Sequence, residues 1–245
     1  AFARRKQRGA AYAAMAFEPL MQGAAGMIAQ PAGWLRRVAE IARGHGAPLI
    51  ADEVMTGFGR TGTMFACHQE GVQPDFLALA KGLTGGYLPM AATLTTQRVF
   101  DAFLGDYTEF KTFFHGHSFT GNQLGSAAAL ASLQMLQDPV AGKARTRLEQ
   151  TLQMELATLW SLPQVGDIRQ VGLVAGIELV KDWRTRAPYD LRERTGIRVC
   201  EAMTRLGVIT RPVGSVIVLM PPYCTSPKQL HRMVAALHQA IREAL

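Results

Sequence analysis

Unbroken apolar runs and helical periodicities take turns along the first half of this chain. APLIADEV (47–54) and DFLALAK (75–81) are continuous apolar runs of strand length, the pattern of parallel strands covered on both faces. AYAAMAFEP (11–19) and MAATLTT (90–96) predict two further strands, expected at the sheet edges. PAGWLRRVAEIARGHG (31–46) has Pro31 near its start, Trp34, Val38 and Ile41 at helical spacing, and Gly44 and Gly46 to stop it. LMQGAAGM (20–27) has no period and predicts a glycine-rich loop. Strands alternating with helices predict an α/β fold, a mostly parallel sheet under helices.

The pattern changes further on. QLGSAAALASLQMLQ, after Gly121-Asn122, predicts a closely packed helix of small residues that ends at Asp138-Pro139. A long helix follows at about 143–160, then two strands in IRQVGLVAGIELV joined through Gly172 and Gly176, and a helix over 190–205. VITRP and VIVLMPP predict strands. A last helix begins at Thr225-Ser226-Pro227 and aligns Leu230, Met233, Val234, Leu237 and Ile241 on one face. These changes divide the chain into 1–138 and 139–245.

Composition narrows the function. Of 245 residues, 48% are hydrophobic and 18% charged, which is globular and not disordered. No run reaches about 18 uncharged apolar residues, so none predicts a membrane span. The net charge of +7 would suit nucleic acid, but the basic residues are scattered. Their one tight cluster, ARRKQRG at 3–9, has no interleaved aromatics, which favours an anionic cofactor or small substrate. Cys67, Cys200 and Cys224 are far apart without a C-x-x-C spacing, which predicts a reducing, cytoplasmic setting and no zinc site. His115 and His117 lack nearby carboxylates, so no metal is assigned to them. The opening AFARRKQRGAAYAAMAF has the composition of a leader peptide, yet runs into Glu18-Pro19 without a polar break. It predicts a helix end, a turn at Gly9 and a buried strand.

Gly57, Gly59 and Gly62 spell G-x-G-x-x-G directly after a strand, as a dinucleotide-binding turn does. Such a turn needs a helix starting on its third glycine, and TMFACHQEGVQPD has room for two helical turns before Gly71 and Pro74. The acid at the expected interval, Asp75, heads the next strand when it should end one. The glycines therefore predict a loop, with Arg60 fixing it. The chemistry precedes them. Asp52 and Val54 share a face at the C-terminal end of a parallel strand, where α/β sheets place ligands, and Glu53 faces the other way. The next strand ends in Lys81, followed by Gly-Leu-Thr-Gly-Gly. An acid and a base buried at adjacent strand ends can form a plain salt bridge. A desolvated Lys followed by glycines that admit a ligand also suits Schiff-base chemistry. Pyridoxal phosphate needs these two groups, a Lys for its carbonyl carbon and a carboxylate for its ring nitrogen.

LIADEVMTGFGRTG, PDFLALAKGLTGGYLPMAATLTT and FHGHSFTGNQLGSAAALASL resemble class III aminotransferases of pyridoxal-phosphate fold type I, the aspartate-aminotransferase-like fold. The 29-residue interval from Asp52 to Lys81 fits that family, and the resemblance covers essentially the whole chain. HGHSFTGN, ATLTT and GVITRPVGSVIVLMPPY are similar to the members that serve biotin biosynthesis, passing an amino group from S-adenosylmethionine to 8-amino-7-oxononanoate. The resemblance implies Lys81 as the Schiff-base lysine and proton shuttle, Asp52 as partner of the ring nitrogen, and Val54 as the apolar contact under the ring. It implies that His117 and Ser118 reach the cofactor phosphate of a neighbouring subunit in a homodimer, although the family more often has Pro-Thr there. Gly116 matches a substrate contact and Arg211 a clamp on a substrate carboxylate. Val218 stands where these members tend to have tyrosine. Glu18 matches a gate partner or a plain strand-end carboxylate.

The two parts then correspond to the end of the large cofactor domain and to a C-terminal small domain. The family carries an earlier segment with a glycine-containing helix N-terminus for the phosphate and an aromatic over the ring. Neither is found upstream of residue 20, so the sequence is expected to be the C-terminal part of such an enzyme. The rival readings are another ω-aminotransferase, for diamines or β-amino acids, and a non-catalytic fragment.

Overall fold

The computed structural model describes residues 4, 7 and 12–245; the predicted turn at Gly9 lies outside them. In chain order, β1 (Met15–Phe17), β2 (Met21–Gln22), β3 (Ile28–Ala29), α1 (Trp34–Gly44), β4 (Leu49–Asp52), β5 (Phe76–Leu79) and β6 (Ala92–Thr95) come first. Then come α2 (Gln97–Asp101), α3 (Gln123–Gln137), α4 (Pro139–Ala157), β7 (Val165–Val171), β8 (Val174–Asp182), β9 (Ala187–Pro188), α5 (Thr195–Arg205), β10 (Pro212–Val213), β11 (Val216–Leu219) and α6 (Pro227–Ala244). The chain forms two compact units. One holds residues 1–19, 31–58 and 63–138, and the other 20–30, 59–62 and 139–245. Two short segments that precede residue 138 thus belong with the second unit.

In the first unit one sheet runs β1-β4-β5-β6. The strands predicted as edges, β1 and β6, are its edges. β1, β4 and β5 are parallel, with Met15 opposite Leu49 and Asp52 opposite Ala78. β6 departs from the expected parallel order and runs antiparallel to β5, pairing Leu77 with Leu94. A parallel return needs a crossover, usually an α-helix, and residues 80–91 supply only a 3-10 turn at Lys81–Thr84. Burial on both faces is also not met. β4 buries Leu49 and Ala51, β5 buries Leu79 alone, and Thr93–Thr95 of β6 are exposed. Helix α1 contributes Leu35, Ala39 and Ala42 to the buried set. Helix α3 spans the predicted residues and is capped by Asn122, whose Oδ1 accepts the Gly125 N–H at 2.7 Å.

The second unit is built on an antiparallel sheet, β10-β11-β8-β7, with β9 paired to β8. Its core joins Leu148, Leu152 and Leu156 of α4 to Ile177 and Leu179 of β8, Met203 of α5, and Leu237 and Ile241 of α6. Helix α6 begins as predicted, with Ser226 and Gln229 in a reciprocal capping box and Pro227 in the first turn. Three details differ from the sequence expectation. LMQGAAGM is not a plain loop: Met21–Gln22 and Ile28–Ala29 pair as a two-stranded ribbon. VITRP contributes only Pro212 to a strand, because its pairing starts opposite Ile217. Gly172 turns the β7–β8 hairpin, but Gly176 lies inside β8, where a Cβ would stand 2.5 Å from the Cβ of Met27. Arg169 secures the same ribbon, donating to the carbonyls of Met27 at 2.9 Å and Gly26 at 3.0 Å.

Candidate active site

The glycines after β4 form a loop and no helix starts on Gly62; a 3-10 turn occupies Ala66–Glu70 instead. Each glycine has a packing or backbone reason. A Cβ on Gly57 would meet the Glu53 carbonyl at 2.8 Å, while Gly59 (φ 88°) and Gly62 (φ 104°) take left-handed backbone. Within the second unit, Arg60 fixes residues 59–62. Its guanidinium donates to the Pro221 carbonyl at 2.7 Å and lies 4.5 Å from the Tyr223 ring centre, and its own carbonyl accepts the Leu173 N–H. Burial lowers the Arg60 pKa, with Tyr223 acting in the opposite direction.

Within the first unit, the register of β4 on β5 brings Asp52 and Lys81 to the same end of the sheet. Asp52 pairs with Ala78, three residues before Lys81. The expected buried pair is corrected on both sides, since Asp52 and Lys81 are exposed and no salt bridge joins them among the described residues. Asp52 is not desolvated because β4 ends there and the chain turns. Its Oδ1 accepts the Val54 N–H at 3.0 Å, a local turn that also places half-buried Val54.

The buried acid is Glu53, at 0% exposure. Its Oε2 accepts the Thr56 hydroxyl at 3.0 Å and the Ala66 N–H at 2.8 Å, and its Oε1 accepts the Cys67 N–H at 2.8 Å. These donors satisfy a charge that burial alone would disfavour. Burial first, then the Glu53 carboxylate, pushes the Cys67 thiol up, so it stays protonated. The i, i+3 pair Glu53/Thr56 was the only sequence signal for this role.

Lys81 has φ 46°, an uncommon conformation for a residue with a Cβ. The turn after it holds it there, with Leu83 N–H donating to Ala80 and Gly85 N–H to Gly82. Gly82 is required by Phe58, whose Cβ would lie 2.8 Å from an added Cβ. Ser132 of α3 donates its hydroxyl to the Gly82 carbonyl at 3.0 Å, the close approach that the small residues of that helix permit. Neither Phe58 nor Ser132 carried a signal in the sequence.

Gly116, His117 and Ser118 lie on an exposed segment of the first unit, where the His117 ring accepts the Phe119 N–H at 3.1 Å and the Thr120 hydroxyl accepts the His117 N–H at 3.1 Å. Arg211 belongs to the second unit. Its side chain is exposed and its carbonyl accepts the Val218 N–H, so the main chain is fixed and the guanidinium presented. Among the described residues no group of three His, Cys, Asp or Glu side chains could hold a metal. The residues at the end of β4 and β5 suit pyridoxal phosphate in their chemistry. A carboxylate and an amine stand at one end of the sheet with no salt bridge between them, beside the small residues Gly82, Gly85 and Gly86.

A family model described as aminotransferase class-III matches residues 2–241. A curated relative from Nitratidesulfovibrio vulgaris, adenosylmethionine-8-amino-7-oxononanoate aminotransferase, is 53% identical over 237 residues, covering 96% of this chain and 44% of the relative. The crystal structure of the enzyme of that name from Methanocaldococcus jannaschii superposes with a TM-score of 0.91 at 43% identity, covering 94% of this chain and 53% of that one. An amine transaminase from an uncultivated Pseudomonas species, solved in its PLP-bound form, gives 0.89 at 37% identity, covering 99% of this chain and 55% of that one. The chain spans about half the length of the curated relatives it matches.

Proposed function

Since the chain belongs to the aminotransferase class-III family and has its fold, we propose that it forms part of a pyridoxal-phosphate enzyme of biotin biosynthesis. The amino group would pass from S-adenosylmethionine to 8-amino-7-oxononanoate, giving 7,8-diaminononanoate. One observation carries the reading: the β4–β5 register puts Asp52 and Lys81 at the same, C-terminal end of two adjacent strands. The shared name of the relatives supports the substrate pair.

The cofactor, when bound, supplies an electron sink for charge that develops at the substrate carbon. Lys81 contributes the amine that attacks a carbonyl carbon, and afterwards carries a proton to and from the substrate carbon. Asp52 holds a proton on the ring nitrogen through a charge-assisted hydrogen bond. Val54 gives the ring an apolar surface. In this proposal Gly116 leaves room for substrate, and Arg211 receives a substrate carboxylate on its planar fork. His117 and Ser118 donate to the phosphate held by a second copy in a homodimer. Residues 1–138, apart from the segments 20–30 and 59–62 that belong with the second unit, are the end of the large cofactor domain, and 139–245 the small domain, in a cytoplasmic protein. No helix among the described residues is long and apolar enough to cross a membrane.

The test is borohydride treatment of the cofactor-loaded enzyme, with the remaining length that the relatives have supplied in cis or as a second chain. A visible band should vanish and a stable adduct appear on Lys81. Turnover near wild type in Lys81→Ala would overturn the reading.

A further inference from the structure

Glu53 takes no part in the chemistry proposed above, yet it is the most fully satisfied side chain near the site. Its carboxylate receives the Thr56 hydroxyl and the Ala66 and Cys67 N–H groups, and it holds the pKa of the Cys67 thiol up after burial has raised it. Its backbone is engaged on both sides, since the N–H donates to the Ala78 carbonyl at 3.0 Å and the carbonyl accepts the Gly57 N–H at 3.0 Å. The first of these bonds ties the turn to β5, three residues from Lys81. The second closes the turn in which the Val54 N–H holds the Asp52 carboxylate. Asp52 and Val54 are the flanking residues, and the Asp52 side chain makes no other hydrogen bond among the described residues.

An exposed aspartate on a turn would sample several rotamers. What restricts this one is the conformation of residues 52–57, clamped from behind by a buried carboxylate that also binds the Ala66–Glu70 turn. We propose that Glu53 is a positioning residue for the cofactor ring: by locking this turn it sets the direction of Asp52 and the height of Val54 at the end of β4. The proposal rests on the reading that Asp52 faces the ring nitrogen of pyridoxal phosphate.

With Asp52 less well held, the ring nitrogen keeps less positive charge. The Lys81 nitrogen linked to the cofactor then retains its proton to higher pH. Glu53→Gln keeps the shape but turns an NH2 group toward an N–H that the carboxylate accepted. Thr56→Val removes one donor and keeps the side-chain outline.

The experiment is a pH titration of the visible band in cofactor-loaded, full-length enzyme, with amide hydrogen exchange on the same protein without cofactor. Glu53→Gln should move the band's midpoint up by about one pH unit and speed exchange at Ala66 and Cys67 by roughly tenfold. Thr56→Val should shift both in the same direction by less. If Glu53→Gln does not fold, Thr56→Val alone decides. A wild-type midpoint with only a lowered melting temperature means that Glu53 merely supports the fold, and overturns the proposal. A visible band that persists in Lys81→Ala would instead overturn the cofactor reading itself, so the two failures are distinct.

Discussion

Ser132, midway along α3, donates its hydroxyl to the carbonyl of Gly82, the residue after Lys81, at 3.0 Å. On the other side of Gly82 lies Phe58, itself in left-handed backbone at φ 60°. The left-handed Lys81 is thus followed by a glycine wedged between a helix and an aromatic ring. The position of the amine is set by this packing, because its own backbone conformation is an unfavourable one.

Gly82→Ala tests that dependence. The added Cβ would lie 2.8 Å from the Cβ and 2.9 Å from the Cδ2 of Phe58. A Cβ cannot swing away as the end of a side chain can, so Phe58 or the Lys81 turn must move. The expected cost is about 1–3 kcal/mol of stability, read by thermal melting, together with slower borohydride labelling at Lys81. Ser132→Ala should cost only about 1 kcal/mol, because it removes one hydrogen bond and adds no clash.

Asp52→Asn separates charge from shape. Asp52 is exposed and accepts one local N–H, which an asparagine oxygen also accepts, so melting should be unchanged. If Asp52 holds the ring nitrogen protonated, the charge that does so is lost, and single-turnover amino transfer should slow by roughly a hundredfold, about 2.7 kcal/mol of barrier. A loss below about threefold would make Asp52 a turn residue only.

The sequence made the C-terminal end of the sheet legible and left its surroundings dark. Apolar runs and the acid and base that end them identify β4, β5 and their C-terminal ends, because strand position and side-chain alternation are local properties. The capped helices α3 and α6 were legible for the same reason: Asn122 and Ser226 announce their starts. Burial was not legible. Asp52 and Glu53 are adjacent acids, and which of them the interior receives depends on the 3-10 turn at Ala66–Glu70, whose N–H groups reach back thirteen residues or more. The reversal of β6 likewise depends on a connection with no periodic signal. The clamp on Gly82 joins residues fifty positions apart, and nothing in the local pattern of α3 marks Ser132 among its other small residues.

Arg211→Ala distinguishes the substrate readings. The Val218 N–H holds the Arg211 carbonyl, so truncation of the exposed side chain should leave β10 and β11 in place. If the guanidinium receives a substrate carboxylate, kcat/KM for 8-amino-7-oxononanoate should fall by roughly a hundredfold, the loss of one charge-assisted bidentate contact. An uncharged ketone acceptor should be almost unaffected. Equal losses on both acceptors would favour an ω-aminotransferase of broader specificity.

The last prediction concerns residues 1–245 produced as a separate chain. β1 and β6 are sheet edges, and β6 exposes Leu94 at 51%. The segment that follows exposes Tyr107 at 89%, Phe110 at 71%, Phe114 at 79% and Phe119 at 75%, and α3 adds Leu124 and Met135. Scattered apolar residues on a surface are ordinary, but an open edge strand followed by a run of exposed aromatics invites pairing with other chains. The net charge of +7 opposes association only at low ionic strength, because the Debye length falls to about 8 Å at physiological salt. Light scattering should therefore show association that grows from 20 mM to 200 mM salt, and absorbance titration should show only weak capture of pyridoxal phosphate by exposed lysines. Adding the length that the relatives have beyond the matched half should suppress the scattering and restore saturable cofactor binding. A monodisperse chain 1–245 that binds one cofactor tightly and transfers amino groups would show that the exposed edge and aromatics need no cover.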